Sequence, residues 1–99
     1  MEVKKCETLE ELRKEIDKVD EKIVELIAVR NDYIKQAAGF KHTVDEIKAD
    51  DRIEDVLNHV RHLALTLGVS PNMVVDIYRQ MIDAMVETEI AELRNKGSF

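Results

Sequence analysis

From Leu9 to Lys41 the chain keeps a seven-residue rhythm that no proline interrupts, and its one glycine there, Gly39, comes near the end. Leu9, Ile16, Ile23, Arg30 and Ala37 form one row, and Leu12, Val19, Leu26, Tyr33 and Phe40 form a second. Ile27, Ile34 and Lys41 flank them on the same side. Side chains at these spacings share one face of an α-helix. Thr8 followed by Glu11 is a capping-box pattern, so the helix is expected from about residue 9 to about 41. At 1.5 Å per residue it would be roughly 50 Å long. A compact globule of this size has a radius of gyration near ~13 Å, so the helix outreaches it with its apolar stripe uncovered. Such a stripe normally finds a partner, and a homodimer with paired long helices is the economical solution. An extended coiled coil is the alternative, but the rest of the chain argues for a compact bundle.

That remainder reads as two shorter helices. "HTVDEIKAD" (42–50) has no sustained period and is expected to be a loop. Asp51 with Glu54 repeats the capping box, and Ile53, Val56, Leu57, Val60, Leu63, Ala64 and Leu67 make an amphipathic helix stopped by Gly68. Ser70 then serves as N-cap and Pro71 as first helical residue of a third helix ending before Gly97. Its inward residues are Val74, Ile77, Tyr78, Met81, Ile82, Met85, Val86, Ile90 and Leu93. Three glycines and one proline in 99 residues suit an all-α chain forming one domain, residues 1–99.

Polar residues break these faces at a few places. Arg30 occupies a full heptad core position, where a guanidinium needs an ion pair, a route to water or an anionic ligand. Lys41 lies about 20° from it around an ideal helix and roughly 16 Å along it, so both long side chains can approach one anion. Arg13, at the rim of the stripe, is about 25 Å from Arg30 along the same helix, but an antiparallel partner would bring it close. Its plainer reading is a solvated rim charge. Arg52 opens the second helix, where a cation opposes the helix dipole and is favoured by a partner. Glu89 points inward among Ile82, Met85, Val86 and Leu93. It either pairs with a cation or stays protonated and donates a hydrogen bond to a ligand.

The remaining chemistry is sparse. His59 and His62 have a metal-compatible spacing but no third ligand, so a solvated face is the simpler reading and no metal site is expected. Cys6 stands alone, and no nucleophilic triad or glycine-rich phosphate loop can be assembled. A net charge of −6 argues against a general nucleic-acid binder. It does not disfavour an anionic small molecule, which responds to the local field of its pocket. No apolar run approaches membrane-spanning length, and the charged N-terminus lacks a signal-peptide core, so a cytoplasmic location is expected.

The stretches "ELRKEIDKVDEKIVELIAVRNDYIKQAAGFK", "DDRIEDVL" and "IYRQMIDAMVETEIAEL" together resemble the small all-helical chorismate mutases over nearly the whole chain. Arg13, Arg30, Lys41 and Arg52 coincide with that family's four active-site cations. The resemblance implies an intertwined homodimer of three-helix chains, with Arg13 entering the partner's site. It implies a dianionic substrate, chorismate or isochorismate, and concerted ether C–O cleavage without a cofactor. Arg30 and the partner copy's Arg13 would clamp carboxylates, Lys41 would donate to the ether oxygen, and Arg52 would assist from the loop side.

The isochorismate-pyruvate lyase branch, which forms salicylate, is similar in "R-DY-K-A--FK" and in the spacing from Lys41 to Arg52. Typical mutases carry an Asp before the second helix and a Glu after its Arg, near the substrate hydroxyl. Here Ala49 and Ile53 fall at those places, which suits isochorismate and makes the lyase the expected activity, with chorismate mutase the alternative. Glu89 stands where Gln is common; only a protonated Glu donates to the ether oxygen, so activity should favour acidic pH. The rival from another class is a non-catalytic helical dimerisation or regulatory module whose cations are structural ion pairs.

Overall fold

The computed structural model describes residues 2–48 and 50–96, and every regular element among them is helical. Helix α1 spans Leu9–Ala38, α2 Val44–Ile47, α3 Asp50–Leu67 and α4 Pro71–Lys96. The chain divides into two units, Met1–Asp32 and Tyr33–Phe99.

In the first unit, α1 starts where its cap dictates. The Glu11 N–H donates to Thr8 Oγ1 at 3.1 Å, and Glu11 Oε2 accepts from the Glu7 N–H at 2.9 Å. Its outer faces carry Lys14–Glu10, Lys18–Glu15 and Lys22–Glu25 pairs at helical spacing. The apolar stripe is exposed: Ile23 retains 49% of its accessible surface and Leu26 66%.

In the second unit, α3 and α4 pack against each other and α2 packs on α4. Leu57, Val60 and Ala64 form the buried row of α3, with Leu57 fully buried. The buried and half-buried row of α4 is Val75, Tyr78, Ile82, Met85 and Glu89, alternating steps of three and four. This corrects the expected core at four places. Ile77 and Leu63 lie beside their rows and are exposed, Leu67 ends α3 exposed, and Val75 takes the inward position near the start of α4.

The turns explain the boundaries. Gly68 adopts φ +72° and closes α3, with its N–H on Leu65 O and the Val69 N–H on Ala64 O. Ser70 Oγ accepts from the Met73 N–H at 3.3 Å, and Pro71 opens α4 as expected. Helix α1 stops at Ala38 and not near 41, because Gly39, Phe40 and Lys41 donate to carbonyls three residues back. That tighter winding ends the α-helical register. Helix α3 begins at Asp50, so Asp51 lies inside it and is not its cap.

The expected 42–50 loop contains the single turn α2. Thr43 Oγ1 accepts from the Glu46 N–H at 3.1 Å, while Glu46 Oε2 accepts from the His42 N–H at 2.8 Å. These two bonds cap a one-turn helix whose last residue, Ile47, is buried.

Candidate active site

Among the residues singled out from sequence, the structure joins Lys41 and Glu89. Lys41 follows the tightened end of α1, and its N–H donates to Ala38 O at 3.2 Å. Its Nζ donates to Glu89 Oε2 at 2.7 Å, the short distance of a charge-assisted hydrogen bond. The Glu89 side chain is 6% exposed and that of Lys41 28%. Glu89 is therefore inward, as its place in the α4 pattern predicts, and its partner is a cation from a segment 48 residues away in sequence.

This pair also fixes what Glu89 does without a ligand. A carboxylate accepting from an ammonium has no proton to donate, so the ion-pair reading describes the ligand-free chain. A ligand oxygen placed beside Nζ would meet a strong donor on a short tether. The same carboxyl, once protonated, would become a second donor beside it. Two donors that converge on one developing negative charge can stabilise it electrostatically.

The other cations stand on identified elements. Arg30 lies on α1, half-buried, with its Nη1 atom buried. Arg13 lies near the start of α1 and Arg52 in the first turn of α3, both exposed. Ile53, next to Arg52, is half-buried. Ala49 lies outside the described residues. Arg30 and Lys41 do not share one helix as the heptad pattern predicts, because α1 ends at Ala38.

Thr43, Glu46 and Ile47 join this neighbourhood without standing among the candidate residues of the sequence. Their signal was the Thr-x-x-Glu spacing at 43–46, the same signature that marked the start of α1. An open depression of about 690 Å³ along Asp20, Glu21, Val24, Glu25 and Ala28 has the wrong charge for an anion site. Among the described residues no group of His, Cys, Asp and Glu could hold a metal ion, and no helix is long and apolar enough to cross a membrane.

Comparison with known proteins gives the setting. A family model described as chorismate mutase type II matches residues 12–90. A chorismate mutase from Methanocaldococcus jannaschii is 32% identical over 92% of this chain and 96% of its own length. An isochorismate pyruvate lyase from Pseudomonas aeruginosa is 29% identical over 86% of this chain and 84% of its own. A bifunctional chorismate mutase/prephenate dehydratase from Aquifex aeolicus is 33% identical over 94% of this chain, a match covering 28% of that longer protein.

Proposed function

The chain belongs to the chorismate mutase type II family, and from that premise we propose that it is a chorismate mutase, converting chorismate to prephenate without a cofactor. What carries the reading is the family match over residues 12–90, which contains Arg13, Arg30, Lys41, Arg52 and Glu89. The mutase relative at 32% identity over 92% of the chain weighs more than the lyase relative at 29% over 86%. The preference for the lyase drawn from sequence therefore gives way to its alternative.

The reaction is a rearrangement within one dianionic molecule, so the protein has two tasks. It must hold the folded conformer and stabilise charge on the breaking ether oxygen. In this proposal Arg30 grips one carboxylate and Arg13 of a second copy the other, each able to bond bidentately. Lys41 turns from Glu89 towards the ether oxygen, and Arg52 neutralises the substrate from the start of α3. Glu89, released from the ion pair and protonated, donates the second hydrogen bond. Glu89→Gln, whose amide always has a hydrogen to donate, should therefore retain turnover.

The second copy is part of the same proposal. Leu12, Ile16, Val19, Ile23 and Leu26 are exposed along α1 in one chain. Self-pairing of two such helices would cover this stripe, the pattern expected of an obligate interface.

The lyase remains a second reading because one observation favours it. Ala49 and Ile53 stand where the resemblance places hydroxyl-binding carboxylates in typical mutases. Purified protein incubated separately with chorismate and isochorismate, at pH 5 and pH 7.5, decides between them. Prephenate as the dominant product supports the mutase, whereas salicylate and pyruvate formed far faster assign the lyase. Neither product at either pH would reject both and leave a helical dimerisation module.

A further inference from the structure

Lys41 sits between two pieces of backbone that are both pinned. Upstream, the N–H groups of Gly39, Phe40 and Lys41 donate to Gln36, Ala37 and Ala38 at 3.0, 3.0 and 3.2 Å. Downstream, the His42 N–H donates to Glu46 Oε2 and the Glu46 N–H to Thr43 Oγ1. The Ile47 and Lys48 N–H groups then donate to Thr43 and Val44 carbonyls. Ile47, 4% exposed, closes the turn, and α2 packs on α4, the helix that carries Glu89. The segment from Lys41 to Ile47 is therefore fastened to α4 at both ends, by the ion pair and by a buried isoleucine.

A lysine has a four-carbon stem, so its ammonium is placed only as well as its backbone is. An exposed four-residue turn is too short to persist through its own hydrogen bonds. Here it is completed by side-chain caps from Thr43 and Glu46 immediately after a lysine whose ammonium is held on a buried carboxylate. We propose that the Thr43 and Glu46 caps and the Ile47 anchor are a positioning device for Lys41, setting where its ammonium stands when substrate replaces Glu89. Thr43, Glu46 and Ile47 are positioning residues in this scheme, not groups that touch substrate. The inference rests on the chorismate mutase reading for its catalytic consequence, but the placement of Lys41 is measurable without it.

The test compares caps of equal chemistry at different places. Thr43→Ala and Glu46→Ala remove the α2 caps, Thr43→Ser preserves them, and Ser70→Ala removes the N-cap of α4. Each variant is read by melting temperature, by kcat and KM on chorismate, and by the rate at which an acid anhydride acylates Lys41. Lys14 and Lys22 on α1 serve as internal references in the labelling. Thr43→Ala and Glu46→Ala are expected to lower kcat about tenfold or more with KM within twofold, since small misplacement of a reacting group is costly. They should also speed Lys41 acylation several-fold, while Thr43→Ser and Ser70→Ala keep wild-type values of both.

If Thr43→Ala lowers the melting temperature as Ser70→Ala does but leaves kcat or Lys41 acylation at the wild-type value, the turn is merely structural and the proposal is overturned. A wild-type protein that turns over neither chorismate nor isochorismate rejects the catalytic reading. Lys41 acylation in the same variants then still decides whether the turn positions that ammonium.

Discussion

The two units carry the same kind of pattern and meet different fates. In Met1–Asp32, an apolar row recurs at helical spacing, yet Leu9, Leu12, Ile16, Val19, Ile23 and Leu26 are all exposed in one chain. In Tyr33–Phe99, the rows of α3 and α4 face each other, and Leu57, Val60, Ala64, Val75, Met85 and Ile90 are buried. Charge follows the same division. The ion pairs of α1 link neighbouring turns in solvent, whereas Lys41 and Glu89 join two elements with the carboxylate buried. Periodicity thus says which face must be covered, but only topology says whether the same chain covers it.

The contrast predicts unequal costs for similar substitutions. Leu57→Ala, at a fully buried site, should destabilise the protein by about 2–5 kcal/mol in denaturant unfolding, through lost transfer energy and a residual cavity. A cost below about 1 kcal/mol would mean that α3 and α4 do not form the principal core.

Next comes the buried pair. Lys41→Ala should lower turnover by about a hundredfold or more, the usual effect of removing a transition-state donor worth ~2.7–4 kcal/mol. It should also destabilise the ligand-free chain by roughly 1–3 kcal/mol, because Glu89 loses its partner in a buried place. The double variant Lys41→Met with Glu89→Met separates the effects: stability should return while turnover stays low. Full turnover in Lys41→Ala would remove this residue from the mechanism.

These expectations show how far the sequence was readable. The starts of α1 and α4 and the end of α3 were legible because Thr8, Ser70, Pro71 and Gly68 act on backbone groups within a few residues. The inward place of Glu89 is legible because it shares a helix face with Ile82, Met85, Val86 and Leu93. Its partner was not, because Lys41 and Glu89 are brought together by packing between distant segments. Helix α2 leaves only its Thr-x-x-Glu signature in the sequence, since a single turn has no periodicity and owes its persistence to the burial of Ile47. The end of α1 falls three residues before the end of its heptad pattern, because tightening to i→i−3 bonds leaves no mark in an apolar pattern that continues to Phe40.

A smaller effect tests what covers α1. Ile23 keeps about half of its accessible surface in one chain, so Ile23→Ala should cost little if nothing else covers it. Pairing with a second copy would bury the other half, adding roughly 1 kcal/mol per copy. The wild-type melting temperature should then rise with protein concentration. A concentration-independent melting temperature, with Ile23→Ala neutral, would show that α1 pairs with no second copy.

The smallest effect belongs to Glu15. The hydrogen bond from Lys18, with the charges of Lys18 and Lys4, outweighs desolvation and holds its carboxyl below the ordinary value of 4.5. A depressed acid contributes stability above its unfolded value and loses it as pH falls through the folded value. Wild type should therefore melt slightly above Glu15→Gln at pH 7, with the difference vanishing in the acid range below 4.5. Because this carboxylate is partly exposed, 1 M salt should also remove the difference at pH 7, whereas the Lys41–Glu89 pair should be screened far less. If salt weakened both pairs equally, the contrast between a solvated helix and a buried site would fail at its electrostatic end.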